Sequence, residues 1–113
     1  MQHKEDLVRL QHMLDASLEA VGFAEGKNRS DLDTDRQLVL SLVRSIEVVG
    51  EAASKVSAEC RVQYPQIDWA DMVGMRNRLI HAYFDINLTI VWRTVTEELP
   101  VLISILQSLL SAE

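Results

Sequence analysis

Residues 34–60 read TDRQLVLSLVRSIEVVGEAASKVSAEC, and the spacing of their apolar residues decides the fold class. Leu38, Leu42, Ile46, Val49, Ala53 and Val56 recur every three or four residues, the period of a helix that buries one stripe. Thr34 followed three residues later by Gln37 has the pattern of a capping box, and Asp35 adds negative charge to the first turn. The spacing predicts a helix from this cap to about Cys60. Leu40, Val43 and Val48 fall outside its stripe, so the helix is expected to pack on two sides, against its own chain and against a second copy. Gly50, Ala52, Ala53, Ser54 and Ser57 are small and permit close helix approach, in the core or between copies.

The same reading extends in both directions. Leu7, Leu10, Leu14, Leu18 and Val21 form one stripe of a first helix, about His3 to Phe23, ended by Gly22 and Gly26. Residues 25–33 are polar and read as a loop. Downstream, Pro65 breaks the chain and Asp68 caps a third helix expected over Trp69 to Phe84. Asn87 caps a fourth, about Leu88 to Ser111, with the stripe Val91, Val95, Leu99, Leu102, Leu106 and Leu109. Pro100 lies inside that pattern and predicts a kink or break. No segment alternates with period two, so no strand is expected. The fold class is all-α, a small antiparallel bundle of four to five helices in a single domain over residues 1–113.

Composition bounds the function. The chain has 113 residues, one domain's worth, with 48% hydrophobic and 25% charged residues, which excludes a disordered or low-complexity segment. Eleven Lys and Arg against 17 Asp and Glu give a net charge of −6, which argues against sequence-blind coating of nucleic acid or anionic membranes. The single cysteine, Cys60, cannot build a disulfide framework, and one Cys with three scattered His has no zinc spacing. The N-terminus carries no apolar signal segment, and 101–110 is too short and too interrupted to span a bilayer. A cytoplasmic protein with no bound metal or cofactor is expected.

The third helix breaks the bland pattern. Trp69, Met72, Val73, Leu79, Ile80 and Tyr83 define its expected stripe, and Arg76 falls near the middle of it. An unpaired buried guanidinium is costly. Arg76 must therefore snorkel, pair with an acid such as Glu47 or Glu51, or line a cleft that receives an anion. His81 lies roughly 140° from Arg76 on a straight helix of 3.6 residues per turn, with Asn77 and Arg78 on its own side. To bring Arg76 and His81 together, the helix must end before His81 or a second subunit must complete the site. An arginine stabilises charge on phosphate and a histidine moves a proton near neutral pH. The pair suits RNA cleavage by the 2′-hydroxyl without a metal. From Met72 to Phe84 the chain has two arginines and no acid, a local +2 that leaves −8 for the remainder.

The longer string Arg76-Asn77-Arg78-Leu79-Ile80-His81-Ala82-Tyr83-Phe84 resembles the signature of HEPN-domain proteins of the HepT-like ribonuclease toxin group: Arg, four residues, His, one residue, Tyr. Ile46-Glu47-Val48-Val49-Gly50-Glu51-Ala52-Ala53 resembles the acidic second helix of that group, and Asp68-Trp69 and Val91-Trp92 are similar in relative position. The resemblance covers essentially the whole chain. It implies a homodimer whose two motifs face each other across a cleft, with Arg76 and His81 catalytic. It implies an endoribonuclease toxin of a type II/VII-like toxin–antitoxin system, with RNA as substrate and no DNA or membrane partner. Tyr83 would be the residue to which a nucleotidyltransferase antitoxin adds AMP. Asn77 and Arg78 would support the site, and Glu47 and Glu51 would act in chemistry or pair Arg76. Two readings compete with it: a non-catalytic helical dimer that binds a nucleotide or docks on a nucleotidyltransferase, and a scaffold in which Arg76 is a structural ion pair.

Overall fold

The computed structural model describes residues 4–82 and 85–112. The first helix, α1 (Lys4–Ala24), buries Leu10, Met13, Leu14, Ala16, Ser17 and Ala20, and Gly26 takes positive φ (75°) just beyond its end. The polar segment that follows is not wholly irregular. It contains a 3₁₀ turn at Arg29–Asp33, where Leu32 is buried and Arg29 reaches Thr89 Oγ1 at 3.3 Å.

Helix α2 (Arg36–Ser54) departs from expectation at both ends. Its cap is Asp35, whose carboxylate accepts the Leu38 N–H at 3.0 Å. Thr34 instead closes the preceding 3₁₀ turn, its N–H bonding Asp31 O at 3.3 Å. The helix stops at Ser54 rather than near Cys60, and residues 58–63 form a separate short helix, α3 (Ala58–Gln63), capped by Ser57. A distant residue drives this break. The buried Asp6 carboxylate of α1 accepts Ser57 N at 2.9 Å and Ser57 Oγ at 2.7 Å, while that Oγ accepts from Cys60 N at 3.2 Å. The start of α1 thus lies beside the end of α2, so the two helices run antiparallel. Arg61 of α3 then donates to the carbonyls of Ala53 and Ser54 at the α2 C-terminus, at 3.0 and 3.2 Å, and lies over the Trp69 ring at 5.8 Å.

Helix α4 (Trp69–Leu79) starts at Asp68, which accepts Asp71 N at 3.0 Å. It is shorter than expected. At Ile80 the chain leaves the helix for a small antiparallel ribbon, β1 (Ile80–Ala82) paired with β2 (Asp85–Ile86) through Ile80↔Ile86 and Ala82↔Asp85. The expectation of no strand is corrected here, because a ribbon this short has too few residues to show an alternating pattern.

Asn87 caps the next helix as predicted, accepting Ile90 N at 3.0 Å. It runs as α5 (Leu88–Arg93), a π-helical stretch (Thr94–Glu98) and α6 (Leu99–Ser111). Pro100 brings a register change in place of a break. Proline has no N–H to give the preceding turn, and the Leu99 N–H reaches back five residues to Thr94 O. Helices α1 and α2 form the centre, with α4 packed on α2 and α6 on α1. The result is an all-α bundle around one core that includes Leu10, Met13, Leu42, Ile46, Met75, Leu79, Val91, Leu99 and Leu106. No helix among the described residues is long and apolar enough to cross a membrane.

Candidate functional site

The site begins with the close approach of α4 to α2. A Cβ on Gly50 would stand 3.2 Å from Met72 O and 3.6 Å from Val73 O, so glycine at this position lets the two backbones nearly touch. The face that α4 turns to the core is Trp69, Met72, Met75 and Leu79. This corrects the sequence stripe by one position: Met75 takes the buried place, Val73 is 39% exposed, and Arg76 moves out of the core. A helix of 3.6 residues per turn carries Arg76 about 100° away from Met75, onto the shoulder that overhangs α2.

On that shoulder the Arg76 Nε donates to the carboxylate of Glu47, in the middle of α2. The Arg76 side chain is 53% exposed and that of Glu47 25%. Among the described residues the terminal guanidinium nitrogens of Arg76 make no further hydrogen bond. Of the two acids considered from sequence, Glu47 is the partner; Glu51 pairs with Lys55 at 3.5 Å. Asn77 is exposed beside Arg76.

Arg78 faces away from both. It forms a two-pronged pair with Glu98 of the π-helical stretch, at 3.1 and 3.3 Å, and lies 3.4 Å from Asp71 one side of the same helix down. Burial works against the Arg78 charge, but the Glu98 hydrogen bond and the charges of Glu98, Asp71 and Asp68 outweigh it and hold its pKa above the ordinary arginine value. Asp71 moves in the opposite sense to a well-paired carboxylate. Desolvation, helped by Glu98 and Asp68, raises its pKa above 3.8 despite Arg78. Both arginines of 72–84 are thus partnered by acids from other turns, and the local +2 read from sequence is largely offset in three dimensions.

His81 is not on α4. It is the middle residue of β1, two residues beyond the last helical residue. Of the two ways to relieve the 140° separation, the helix does end before His81. Asn87 N returns to Leu79 O at 2.7 Å, beside the antiparallel pairing of β1 and β2. Tyr83 lies outside the described residues. Among the described residues no group of His, Cys, Asp and Glu has the arrangement of a metal site.

Sequence reasoning missed one further cluster. Arg9 and His12 of α1 and Arg44, Val48, Glu51, Ala52 and Lys55 of α2 line a cavity of about 180 Å³ between those helices. Its only local signals were Arg9 and His12 three apart and Arg44, Glu51 and Lys55 at helical spacing, each unremarkable until the two helices pack.

The fold is thus an all-α bundle with Arg76 exposed in the last turns of α4 and His81 in the strand that follows. The chain matches the family model described as ribonuclease HepT-like over residues 13–109. It belongs to the HepT-like ribonuclease family. A protein named "Putative RNase" from Caldanaerobacter subterraneus subsp. tengcongensis is 33% identical over 104 residues, covering 92% of this chain and 93% of that protein. Another "Putative RNase", from Methanocaldococcus jannaschii, is 29% identical over 91 residues, 80% of this chain and 84% of that protein. A "Probable ribonuclease HepT" from Thermococcus cleftensis is 35% identical over 70 residues, 62% of this chain and 64% of that protein. No solved structure matches the chain.

Proposed function

We propose that the chain is an endoribonuclease toxin that cleaves RNA without a metal, acts as a homodimer, and is silenced by a nucleotidyltransferase that adds AMP to Tyr83. Membership of a ribonuclease family supports RNA as the substrate class. The observation that carries the reading is the state of Arg76. Its guanidinium is anchored through Nε alone, half exposed, with its terminal nitrogens available to a phosphate. An ion pair this open contributes only about 0.2–1 kcal/mol to stability, so structural pairing is a weak reason to hold an arginine there. In the proposed reaction the 2′-hydroxyl loses its proton and attacks the adjacent phosphorus, the P–O5′ bond breaks, and the leaving oxygen takes a proton. Arg76 stabilises the charge that builds on the phosphoryl oxygens and His81 moves a proton. The products are a 2′,3′-cyclic phosphate and a 5′-hydroxyl.

Purified protein incubated with RNA and a chelator tests this. Cleavage by wild type that leaves 2′,3′-cyclic ends, and its loss in Arg76→Ala and His81→Ala, is the expected result. Equal cleavage by wild type and His81→Ala would remove His81 from the mechanism.

A further inference from the structure

The charge distribution off the motif points to where the substrate lies. Lys and Arg are outnumbered on this chain, and most cations near an acid are paired with it: Arg29 with Asp33, Lys55 with Glu51, Arg76 with Glu47, Arg78 with Glu98, Arg93 with Glu97. Arg9 and Arg44 are exceptions. Among the described residues neither has an acidic side chain within ion-pair distance, and both line the cavity between α1 and α2. His12 adds a third donor and Lys55 a fourth, with Glu51 as the one acid of the lining, already bound by Lys55.

The cleft does not end there. Arg44 also borders a neighbouring groove, lined by Arg36, Phe23 and Leu40 among others. The four cations of the two linings outnumber the two acids, Glu19 and Glu51, which gives a net +2 on a chain whose total is −6. At 1.5 Å per residue, Arg36 and Arg44 are about 12 Å apart along α2, and Arg44 and Lys55 about 16 Å. One phosphate cannot meet both ends of such a row, whereas a phosphodiester chain can. Phe23 is 45% exposed in the same groove and offers an apolar ring against which a base can stack. Glu47, the anchor of Arg76, lies one turn beyond Arg44 on α2, so the row of cations leads to the candidate cleavage site.

We propose that the cleft between α1 and α2, formed by Arg9, His12, Arg44 and Lys55 and continued by Arg36 and Phe23, holds the single-stranded RNA that flanks the scissile phosphodiester. The inference rests on the ribonuclease reading, and binding is measured apart from cleavage so that the two fail separately. The probe is a fluorescein-labelled 15-nucleotide oligouridylate with 2′-O-methyl riboses, which cannot undergo attack by its own 2′-oxygen. Fluorescence anisotropy follows binding to the full chain across a salt series. Arg9→Gln/Arg44→Gln is expected to bind at least tenfold more weakly than wild type. Its slope of log affinity against log salt should flatten by about 1.4, at 0.7 for each lost phosphate contact with a single strand. Lys27→Gln/Arg93→Gln, with the same change in charge, is expected to bind as wild type does. Both double variants should melt close to the wild-type temperature, since neither arginine of the cleft supports the fold through an ion pair and the Arg93–Glu97 pair of the control is long and solvent-exposed.

Wild type that fails to bind the probe overturns the proposal, as does equal binding by the two double variants. A change in sedimentation of Arg9→Gln/Arg44→Gln from dimer to monomer also overturns it, because the cleft is then a contact between copies. Cleavage that persists with an unchanged KM in Arg9→Gln/Arg44→Gln removes this site and leaves the ribonuclease reading standing. Arginine-dependent binding with no cleavage of any RNA does the reverse.

Discussion

Arg76 stands at the edge of solvent with its Nε on Glu47, and that position separates its effect on stability from its effect on activity. A guanidinium this open leaves no cavity and strands no buried charge when it is truncated. Arg76→Ala should therefore change unfolding free energy by no more than about 1 kcal/mol, measured by urea denaturation, while abolishing RNA cleavage. A strong drop in stability, with residual activity in proportion to folded protein, would return Arg76 to a structural role. Asp71 supplies a second residue-level test. Its folded pKa is raised by desolvation, so the native chain binds a proton that the unfolded chain, titrating near 3.8, has released. In that window the unfolded state holds fewer protons and stability falls as pH rises. Above it Asp71 is charged in both states and its burial penalty is fully present. Asp71→Asn should thus gain stability relative to wild type at pH 7, and the gain should shrink as the pH is lowered towards 4.

The arrangement of elements shows which parts of the fold are local and which are not. Helix periods, the Asn87 cap and the Asp68 cap were legible because each depends on residues within a turn or two. The break after Ser54 was not, since it depends on Asp6, 51 positions from Ser57. The stripe of α4 was misplaced for a related reason: Val73 and Met75 are both apolar, and only the packing of α4 on α2 selects Met75. The Arg–His–Tyr string was legible as a family pattern, whereas the exit from helix at Ile80, which takes His81 off the wheel, depends on the return of 85–86. Gly50 measures that α2–α4 contact directly. Alanine in an exposed helix position is worth about 1 kcal/mol over glycine, and Gly22→Ala in α1, with open space around it, should gain up to that amount. Gly50→Ala should lose it and more, by roughly 1–2 kcal/mol, because its Cβ meets a helix carbonyl that moves only with the whole of α4. Since α4 carries Arg76, Gly50→Ala should also slow cleavage more than Gly22→Ala does. Equal stability effects in thermal melts would show that the contact is looser than 3.2 Å implies.

The whole molecule is thin. Its extents are 47 × 28 × 19 Å, and the shortest is close to two helix diameters, so the helices keep broad outward faces. Several carry exposed apolar side chains, among them Val73 one turn before Arg76 on α4, and Leu40 on α2. A short chain gains much by covering such surface, and a two-fold pairing that brings both α4 ends together would double the arginines and histidines at one cleft. That arrangement makes activity a property of the dimer, and dilution and mixing test it. Specific activity should fall as protein is diluted through the concentration at which sedimentation shows dissociation. Arg76→Ala and His81→Ala, each inactive alone, should complement when mixed and allowed to exchange. If the arginine of one copy works with the histidine of the other, one of two centres in each mixed dimer is intact, and random exchange should restore roughly a quarter of wild-type activity. Mixtures that stay inactive, with specific activity independent of concentration, would place Arg76 and His81 of a single chain in a self-contained site and leave the pairing of copies without a part in the chemistry.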